Sequence, residues 1–273
     1  MGNLVRISRA NARFQQWEAL LHNRNKRQRR GEFLVQGVRA INLAFEYGWP
    51  IRALLYDSDR SLSRWASGLL QGSNCDLVAL APDLLRQLSG QDQDVPEIVA
   101  VVGLPDDEFS RIRVGTSFLG MVFDRPAMPG NIGSMVRSVD AFGGSGLFVT
   151  GHAADPYDPK SVRASTGSLF AVPVIRAPSH RQVLAWVGEQ RAAGTEIAII
   201  GTDENGTVDV NDLDFTGPTL FVIGNETNGL SAGWHDVCDT IATIPIGGGA
   251  SSLNASSAAT VALYEAARQR RLA

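Results

Sequence analysis

The sequence contains little cysteine and no long hydrophobic run. Only Cys75 and Cys238 are present, and they lie far apart in the chain. Two separated cysteines predict neither a disulfide framework nor a cysteine-rich zinc site, and they are typical of a protein of the reducing cytoplasm. No uninterrupted apolar stretch reaches the ~18 residues that a membrane-spanning helix needs, so we expect no membrane partner.

Several common catalytic signatures are also missing. No G-x-G-x-x-G follows the first predicted strand and no G-x-x-x-x-G-K-[ST] occurs, which argues against the usual dinucleotide and nucleoside triphosphate sites. A serine-hydrolase G-x-S-x-G elbow is absent as well. The four histidines, His22, His152, His180 and His235, lack metal-ligand spacing, so the sequence predicts no metal site.

Charge is distributed unevenly along the 273 residues. The net charge is −3, yet residues 1–39 carry eight arginines and Lys26 against Glu18 and Glu32, a balance of 9 − 2 = +7 that leaves −10 for the rest. A basic segment on an otherwise acidic protein indicates a polyanionic partner, and the alternative is a solvated helix face. Basic residues are densest between positions 24 and 30, and we call this cluster the basic arm: Arg24, Lys26, Arg27, Arg29 and Arg30.

Alternating apolar and amphipathic segments predict an α/β protein with two domains. In residues 1–104 strands are expected at 33–37, 51–57, 75–81 and 97–104, with helices at 38–48, 61–72 and 82–90. The polar stretch 105–115 is predicted to be a linker. In residues 116–273 strands are expected at 117–124, 146–151, 172–177, 196–202, 219–224 and 240–246, with helices at 131–143, 179–194 and 254 to about 271.

Near-continuous apolar strands in the second half predict a parallel sheet covered on both faces. Such sheets bind ligands beyond the carboxyl ends of their strands, so the loops that follow strands are the informative ones. In the first, residues 124–144, Asn131 is predicted to cap a helix on which Arg137 could reach back to the loop. An ordinary capped helix is the alternative.

Two further loops follow apolar strands. Residues 221–231 place Glu226 between Gly224 and Gly229, where a ligand could approach the backbone, although a tight turn would explain the same pattern. Residues 244–270 combine three glycines with small residues, and Ser252 or Asn254 is predicted to cap the last helix. The small residues permit close contact with a ligand or with a neighbouring segment of the chain.

Taken together in this order, the three loops resemble the SpoU (TrmH) family of the SPOUT superfamily, AdoMet-dependent RNA ribose 2′-O-methyltransferases. The resemblance is carried by PGNIGSMVRSVDAFG, FVIGNETNGLS and IPIGGGASSLNASSAATVALYEAARQR, with SVRASTGSLF (161–170) as a further stretch. It covers residues 116–271. Residues 11–48 are more loosely similar to the opening of the small RNA-binding α/β domain that often precedes the catalytic one.

The resemblance implies a fold and an assembly. The expected fold is a C-terminal α/β domain whose parallel sheet contains a trefoil knot, preceded by a small α/β RNA-binding domain. A homodimer is expected in which the partner chain completes each site, with S-adenosyl-L-methionine as cofactor and RNA as partner. Ribosomal RNA is favoured because the leading domain resembles ribosomal-RNA members; a tRNA methyltransferase and a non-catalytic ribosome-assembly factor are the alternatives.

The resemblance also implies the site residues. Catalytic roles fall on Asn131, Arg137, Glu226, Ser252 and Asn254. Cofactor contacts fall on Thr202, Gly224, Asn225, Gly229, Ile244, Ile246 and Leu253, and RNA contacts on the basic arm. The sequence departs from the family at Met128-Pro129, where Asp-Pro is common. Because a guanidinium rarely loses its proton, Arg137 could act either as a tuned base or as a cation that stabilises the developing alkoxide.

Overall fold

Two β-sheets organise the residues that the computed structural model describes, 4–90 and 95–273. Residues 1–3 and 91–94, which fall in the predicted first domain, lie outside the described residues. One unit comprises Met1–Asp106 and Tyr157–Phe170, and the other comprises Asp107–Pro156 and Ala171–Ala273. The sequence had assigned residues 157–170 to the second domain, whereas this segment packs within the first unit.

The first unit is built on a five-stranded sheet of order β1-β4-β3-β5-β2. Strands β1, β4 and β3 are parallel, and β5 runs antiparallel to both β3 and β2. Its elements up to residue 103 are β1 (Leu4–Ile7), α1 (Ala12–His22), α2 (Arg24–Arg30), β2 (Glu32–Gln36), α3 (Val38–Glu46), β3 (Ile51–Asp57), α4 (Arg64–Gly72), β4 (Asp76–Leu80), α5 (Pro82–Ser89) and β5 (Ile98–Gly103).

The second sheet has seven parallel strands, of order β10-β12-β9-β11-β6-β7-β8. The elements after residue 107 are two 3₁₀ turns (Phe109–Arg111 and Val210–Asp212), β6 (Leu119–Asp124), α6 (Pro129–Ala141), β7 (Gly146–Thr150), α7 (Pro159–Ala164), α8 (Ser168–Ala171), β8 (Val174–Ala177), α9 (His180–Ala192), β9 (Ala198–Thr202), β10 (Val208–Asp209), β11 (Thr219–Ile223), α10 (Ala232–His235), β12 (Thr240–Thr243) and α11 (Ala255–Arg270). Strands β6, β7 and β11 are buried along their whole length. The predicted α/β class with a parallel sheet is confirmed.

Helix α11 extends from the carboxyl ends of the strands of this sheet to their amino ends. Its cap, Asn254, follows the carboxyl end of β12, and the helix lies parallel to α6, because Ser138 meets Thr260 and Phe142 meets Tyr264 along the two helices. Near its other end Arg270 donates to the carbonyl oxygens of four residues that precede β6 and β11, Ser117, Phe118, Phe215 and Gly217. The last helix therefore has contacts near both the carboxyl ends and the amino ends of the strands.

All five residues of the basic arm lie in α2, which is capped by the side chain of Asn23 and ends before Gly31. The prediction that Arg27 binds RNA is wrong, because its side chain is only 3% exposed. Its guanidinium donates to the carbonyl oxygen of Leu20 at 2.6 Å, at the end of α1, and lies 3.5 Å from the Asp158 carboxylate. A charge pattern cannot distinguish an arginine that satisfies helix-end carbonyls from one that faces solvent.

None of the helices in the described ranges offers an apolar stretch that would cross a lipid bilayer.

Replacing the buried arginine tests its structural role. Arg27→Ala removes a buried cation together with its donors, leaving helix-end carbonyls and Asp158 without that partner. We expect the free energy of unfolding to fall by about 3 kcal/mol in urea titrations followed by circular dichroism. Arg29→Ala, an exposed neighbour on the same helix, is the matched control and should change it by no more than ~0.5 kcal/mol. Equal effects of the two variants would contradict the role assigned to Arg27.

Candidate active site

A cavity of about 380 Å³ lies at the carboxyl ends of β9, β11 and β12. Parallel α/β sheets bind their ligands at this edge, and the volume lies within the ~300–1,000 Å³ of small-molecule sites. Three chain segments form its wall: 202–205 after β9, 223–229 after β11, and a third between residues 243 and 258 after β12. Two of the three loops singled out in the sequence therefore meet at one cavity.

The cavity brings together the residues expected to hold the cofactor. Its wall contains all seven of them: Thr202, Gly224, Asn225, Gly229, Ile244, Ile246 and Leu253. Of the five residues expected to be catalytic, Glu226 and Ser252 also line it, and Ser252 is exposed. Asn131, Arg137 and Asn254 do not line the cavity, although Asn131 donates to Glu226 in its wall and Asn254 donates to Asn131.

A chain of side-chain hydrogen bonds joins the three loops. Asn131 of the first loop donates from Nδ2 to Oε1 of Glu226 at 3.0 Å, and its own Oδ1 accepts from Nδ2 of Asn254 at 3.2 Å. Asn254 caps α11, because its Oδ1 accepts the backbone N–H groups of Ser256 and Ser257. The alternative prediction, that Ser252 caps α11, is wrong.

Glu226 caps the start of α6 from a different loop. Its Oε2 accepts from the backbone N–H of Ala127 at 2.9 Å, and its Oε1 accepts from that of Met128 at 3.1 Å. The prediction that Asn131 is the N-cap is wrong: Pro129 takes the first helical position, so Asn131 becomes the third and Met128, with no side-chain cap of its own, precedes the helix. A residue at the third helical position faces the capping carboxylate, which explains the contact with Glu226.

These contacts set the protonation of Glu226. Burial alone would raise the pKa of the carboxyl, but hydrogen bonds from Ala127, Asn131 and Met128 outweigh it, and the pKa lies below its usual 4.5. The side chain is therefore ionised near neutral pH, and its oxygens are already occupied as acceptors. Such a carboxylate is a better anchor than proton acceptor.

Arg137 stands apart from this cluster. It lies six residues beyond Asn131 on α6, a rotation of roughly 240° about the helix axis, so the two side chains point to different sides. Arg137 is exposed and makes no hydrogen bond or ion pair with any residue in the described part of the chain. Within one chain the structure does not bring Arg137 to the cavity wall.

The turn after β11 allows very little space around Gly224. A Cβ atom on Gly224 would lie 2.2 Å from the carbonyl carbon of Gly229 and 2.3 Å from the nitrogen of Leu230. The turn closes through paired backbone hydrogen bonds between Asn225 and Gly229, and Gly229 has φ +60°. The Asn225 Oδ1 accepts from the backbone N–H of Thr227 at 2.9 Å and from the backbone N–H of Asn228 at 3.0 Å.

Sequence reasoning missed two residues that hold this turn against the first loop. Asp124, at the end of β6, is buried and accepts from the Thr150 hydroxyl and the Ser231 N–H, each at 3.0 Å. Arg125, with φ +52°, donates to Asp124 and, at 3.1 Å, to the carbonyl oxygen of Gly229. The signal was available, because a carboxylate that follows an apolar strand marked Glu226 in the same way.

Filling the space at Gly224 tests how closely the turn depends on it. Gly224→Ala places a methyl group against backbone atoms that cannot move independently, so we expect the free energy of unfolding to fall by about 1–3 kcal/mol. Gly217→Ala is the matched control, since nothing lies within 4 Å of a Cβ there. Urea titration measures both, and an undisturbed Gly224→Ala protein would show that the turn is not tightly packed.

The capping role of Glu226 predicts a pH dependence. Because the folded-state pKa is lowered, the ionised carboxylate stabilises the fold above a pH of about 4.5, and this stabilisation is lost as the pH falls through the folded value. Glu226→Gln should therefore be less stable than the wild type at a pH of about 7, with the gap narrowing at a pH of about 3. Unfolding free energies at both pH values give the measurement. If the difference in unfolding free energy between the two proteins does not change with pH, ionised Glu226 does not stabilise the start of α6.

Two family models match the chain. Residues 11–100 match the SpoU L30e-like domain, and residues 119–264 match the SpoU rRNA Methylase family. The sequence is 60% identical over 265 residues, 97% of this chain and 92% of the relative, to a 23S rRNA (uridine(2479)-2′-O)-methyltransferase of Streptomyces viridochromogenes.

Solved structures show the same likeness. The SpoU methyltransferase AviRb from Streptomyces viridochromogenes, in complex with the cofactor AdoMet, has a TM-score of 0.94 at 60% identity over 96% of this chain and 99% of that chain. An AdoMet-bound rRNA methyltransferase from Sinorhizobium meliloti has a TM-score of 0.85 at 27% identity over 98% of each chain. These matches confirm the resemblance found in the loops, and the chain belongs to the SpoU rRNA methylase family.

Proposed function

We propose that this protein is a homodimeric enzyme that transfers a methyl group from S-adenosyl-L-methionine to a ribose 2′-hydroxyl of 23S ribosomal RNA in the cytoplasm. The observation that carries the proposal is the cavity at the carboxyl edge of the parallel sheet, whose wall contains every residue expected to hold the cofactor. The Streptomyces viridochromogenes relative, 60% identical over 97% of this chain, supports the choice of substrate.

The cavity wall suits the chemistry of S-adenosyl-L-methionine. Ile246 and Leu253 are 39% and 40% exposed, which provides apolar surface for an adenine ring. The carboxylates of Asp203 and Glu204 complement a cationic methyl donor and its ribose hydroxyls. At Gly224 the lack of a side chain lets the backbone of Gly229 and Leu230 close against the end of β11 beside the cavity. The family-model match to a methylase is consistent with this fit.

The donor supplies an electrophilic methyl group, so the protein has to orient the ribose hydroxyl and stabilise the charge that develops on its oxygen. Glu226 is committed to the start of α6 and to Asn131, which favours a positioning role over proton abstraction. Arg137 has donors that are not engaged within the described residues. We assign to Arg137 the stabilisation of the developing alkoxide, because a guanidinium keeps its charge, and the proton of the ribose hydroxyl passes to solvent water.

Dimerisation would bring Arg137 to a cavity. Arg137 does not line the cavity of its own chain, so we propose that in the homodimer it reaches the cavity of the partner subunit. Helix α11, which lies parallel to α6, carries exposed apolar side chains that suit such an interface: Val261 is 36% exposed and Tyr264 50%. A buried interface is where large apolar side chains of this kind are enriched.

A trefoil knot in the second unit is part of the same proposal. The segment from β12 to α11 supplies the third wall of the cavity, and α11 then returns to the opposite edge of the sheet, where Arg270 holds it. A knotted path through these loops would make the cavity wall hard to open without moving the C-terminal helix.

The role of Arg137 can be tested with two inactive variants. Arg137→Ala should abolish methyl transfer to ribosomal RNA while leaving S-adenosyl-L-methionine affinity near that of the wild type by calorimetry, because the cavity wall is untouched. Leu253→Trp, which fills the cavity, should lose cofactor affinity. If the partner supplies Arg137, heterodimers of the two variants contain one complete site and recover up to about half of wild-type activity per dimer.

Three outcomes decide the matter. Inactive heterodimers of confirmed dimeric mass would place Arg137 in the cavity of its own chain. Loss of cofactor affinity in Arg137→Ala would remove its assignment to the transfer step. Wild-type protein that labels total transfer RNA, or that labels neither RNA class from radioactive S-adenosyl-L-methionine, would overturn the proposed substrate or the enzymatic function, respectively.

A further inference from the structure

Arg125 has a backbone conformation that residues other than glycine rarely adopt. Its φ of +52° lies in the left-handed region, and in ranges 4–90 and 95–273 the only other non-glycine residue with a positive φ is Thr166. The conformation is unfavourable because Cβ crowds the following carbonyl oxygen. Such strain persists only where surrounding contacts impose it, and it is frequent at functional sites. Arg125 directly follows β6, so the strained residue lies at the edge of the sheet that carries the cavity.

Backbone contacts on two sides impose this conformation. The Arg125 N–H donates to the carbonyl oxygen of Thr150 at 2.9 Å, and the Arg125 carbonyl oxygen accepts from Nδ2 of Asn225 at 2.7 Å. The stem of the side chain lies over Gly151, where a Cβ atom would be 2.6 Å from Arg125 Cγ. Arg125 is thus held between the end of β7 and the first residues of the turn after β11.

The guanidinium of Arg125 binds the other end of the same turn. Nε donates to the buried Asp124 carboxylate at 3.0 Å, and Nη2 donates to the carbonyl oxygen of Gly229 at 3.1 Å. Asp124 is itself held by the Thr150 hydroxyl and by the Ser231 N–H. A planar guanidinium that is held by a fixed carboxylate has a fixed direction, so it determines where the Gly229 carbonyl group lies.

These contacts reach the cofactor cavity through two residues of its wall. Asn225 and Gly229 both line the cavity, whereas Arg125 does not. Without the guanidinium the turn would still close through its own backbone hydrogen bonds, and contacts of Asn225 and Glu226 with the first loop would still hold its first residues. The carbonyl group of Gly229 would lose its link to the end of β6. The guanidinium therefore fixes one end of a turn that forms part of the cavity wall.

We propose that Arg125 is a positioning residue for the methyl donor: its guanidinium holds the Gly229 end of the turn in the arrangement that binds S-adenosyl-L-methionine, without itself touching the cofactor. The proposal rests on the proposed function, because it takes the occupant of the cavity to be that cofactor. A purely structural arginine would stabilise the fold and leave cofactor affinity unchanged. The strained φ favours the positioning role, since glycine would adopt the same conformation freely but has no side chain to reach Gly229.

The test removes the guanidinium and keeps the backbone conformation accessible. For Arg125→Gly we expect the dissociation constant for S-adenosyl-L-methionine, measured by calorimetry, to rise at least ~10-fold, as for the loss of one hydrogen bond from a charged donor. In methyl-transfer assays with a transcribed 23S ribosomal RNA fragment, KM for the cofactor should rise by a similar factor, while kcat at saturating cofactor stays within about twofold of the wild type. The melting temperature should change by no more than about 4 °C, because relief of strain offsets part of the lost contact.

Two further variants serve as controls. Arg125→Lys keeps the stem and one cationic donor, so its cofactor affinity should lie between those of Arg125→Gly and the wild type. Arg113→Ala removes the same charge from an exposed arginine of the second unit that does not line the cavity, and it should bind the cofactor as the wild type does. Each affinity is measured well below the melting temperature of the variant, so that lost folding is not counted as lost affinity.

The outcomes separate this proposal from the proposed function. Wild-type cofactor affinity in Arg125→Gly, a lowered kcat with unchanged KM, or a change confined to the melting temperature would overturn the positioning role. If Arg125→Gly does not fold, Arg125→Met, which keeps a long stem without donors, is measured instead and judged by the same affinity and kinetic criteria. Wild-type protein that binds no S-adenosyl-L-methionine would overturn the proposed function, and the positioning role with it.

Discussion

The hydrogen bonds that join Glu226, Asn131 and Asn254 are the constraint on which the site depends. A partly buried carboxylate must be satisfied, and the start of α6 supplies three donors to it, from Ala127, Met128 and Asn131. Because Asn254 also caps α11, the same chain fixes where the last helix begins. The positions of three separate loops are thus set by one set of polar contacts, and the cavity takes its shape from them.

The parallel arrangement of α6 and α11 follows from this constraint. Both helices start at the carboxyl edge of the sheet, where Asn131 and Asn254 meet, and they stay in contact through Ser138 and Thr260. At the amino edge, Arg270 binds four carbonyl oxygens and fixes the end of α11. A helix attached at both ends cannot shift along the sheet, so the small residues at its start remain beside the cavity.

Much of this fold could be predicted because apolar runs mark buried parallel strands, and every strand expected in the second half is present. The errors came from contacts that local sequence does not encode. Pro129 moved the start of α6 upstream and turned Asn131 from a cap into the partner of a distant carboxylate. Arg27 is buried beside Asp158, which lies more than a hundred residues away in sequence. Residues 157–170 belong to the first unit, where Gly167 packs against the equally distant helix α3.

Besides the arginines that pair with carboxylates, the described residues contain two groups of arginines that their contacts separate. Arg27, Arg125 and Arg270 direct their planar donors at main-chain carbonyl oxygens, where several parallel N–H groups satisfy loop and helix ends at once. Arg39, Arg137 and Arg163 are exposed and unengaged within the described residues. A cation that already satisfies the backbone cannot also bind a phosphate without leaving a buried carbonyl unpaired. The unengaged arginines are therefore the ones available to a polyanionic substrate, and a composition so rich in arginine does not by itself measure the RNA-binding surface.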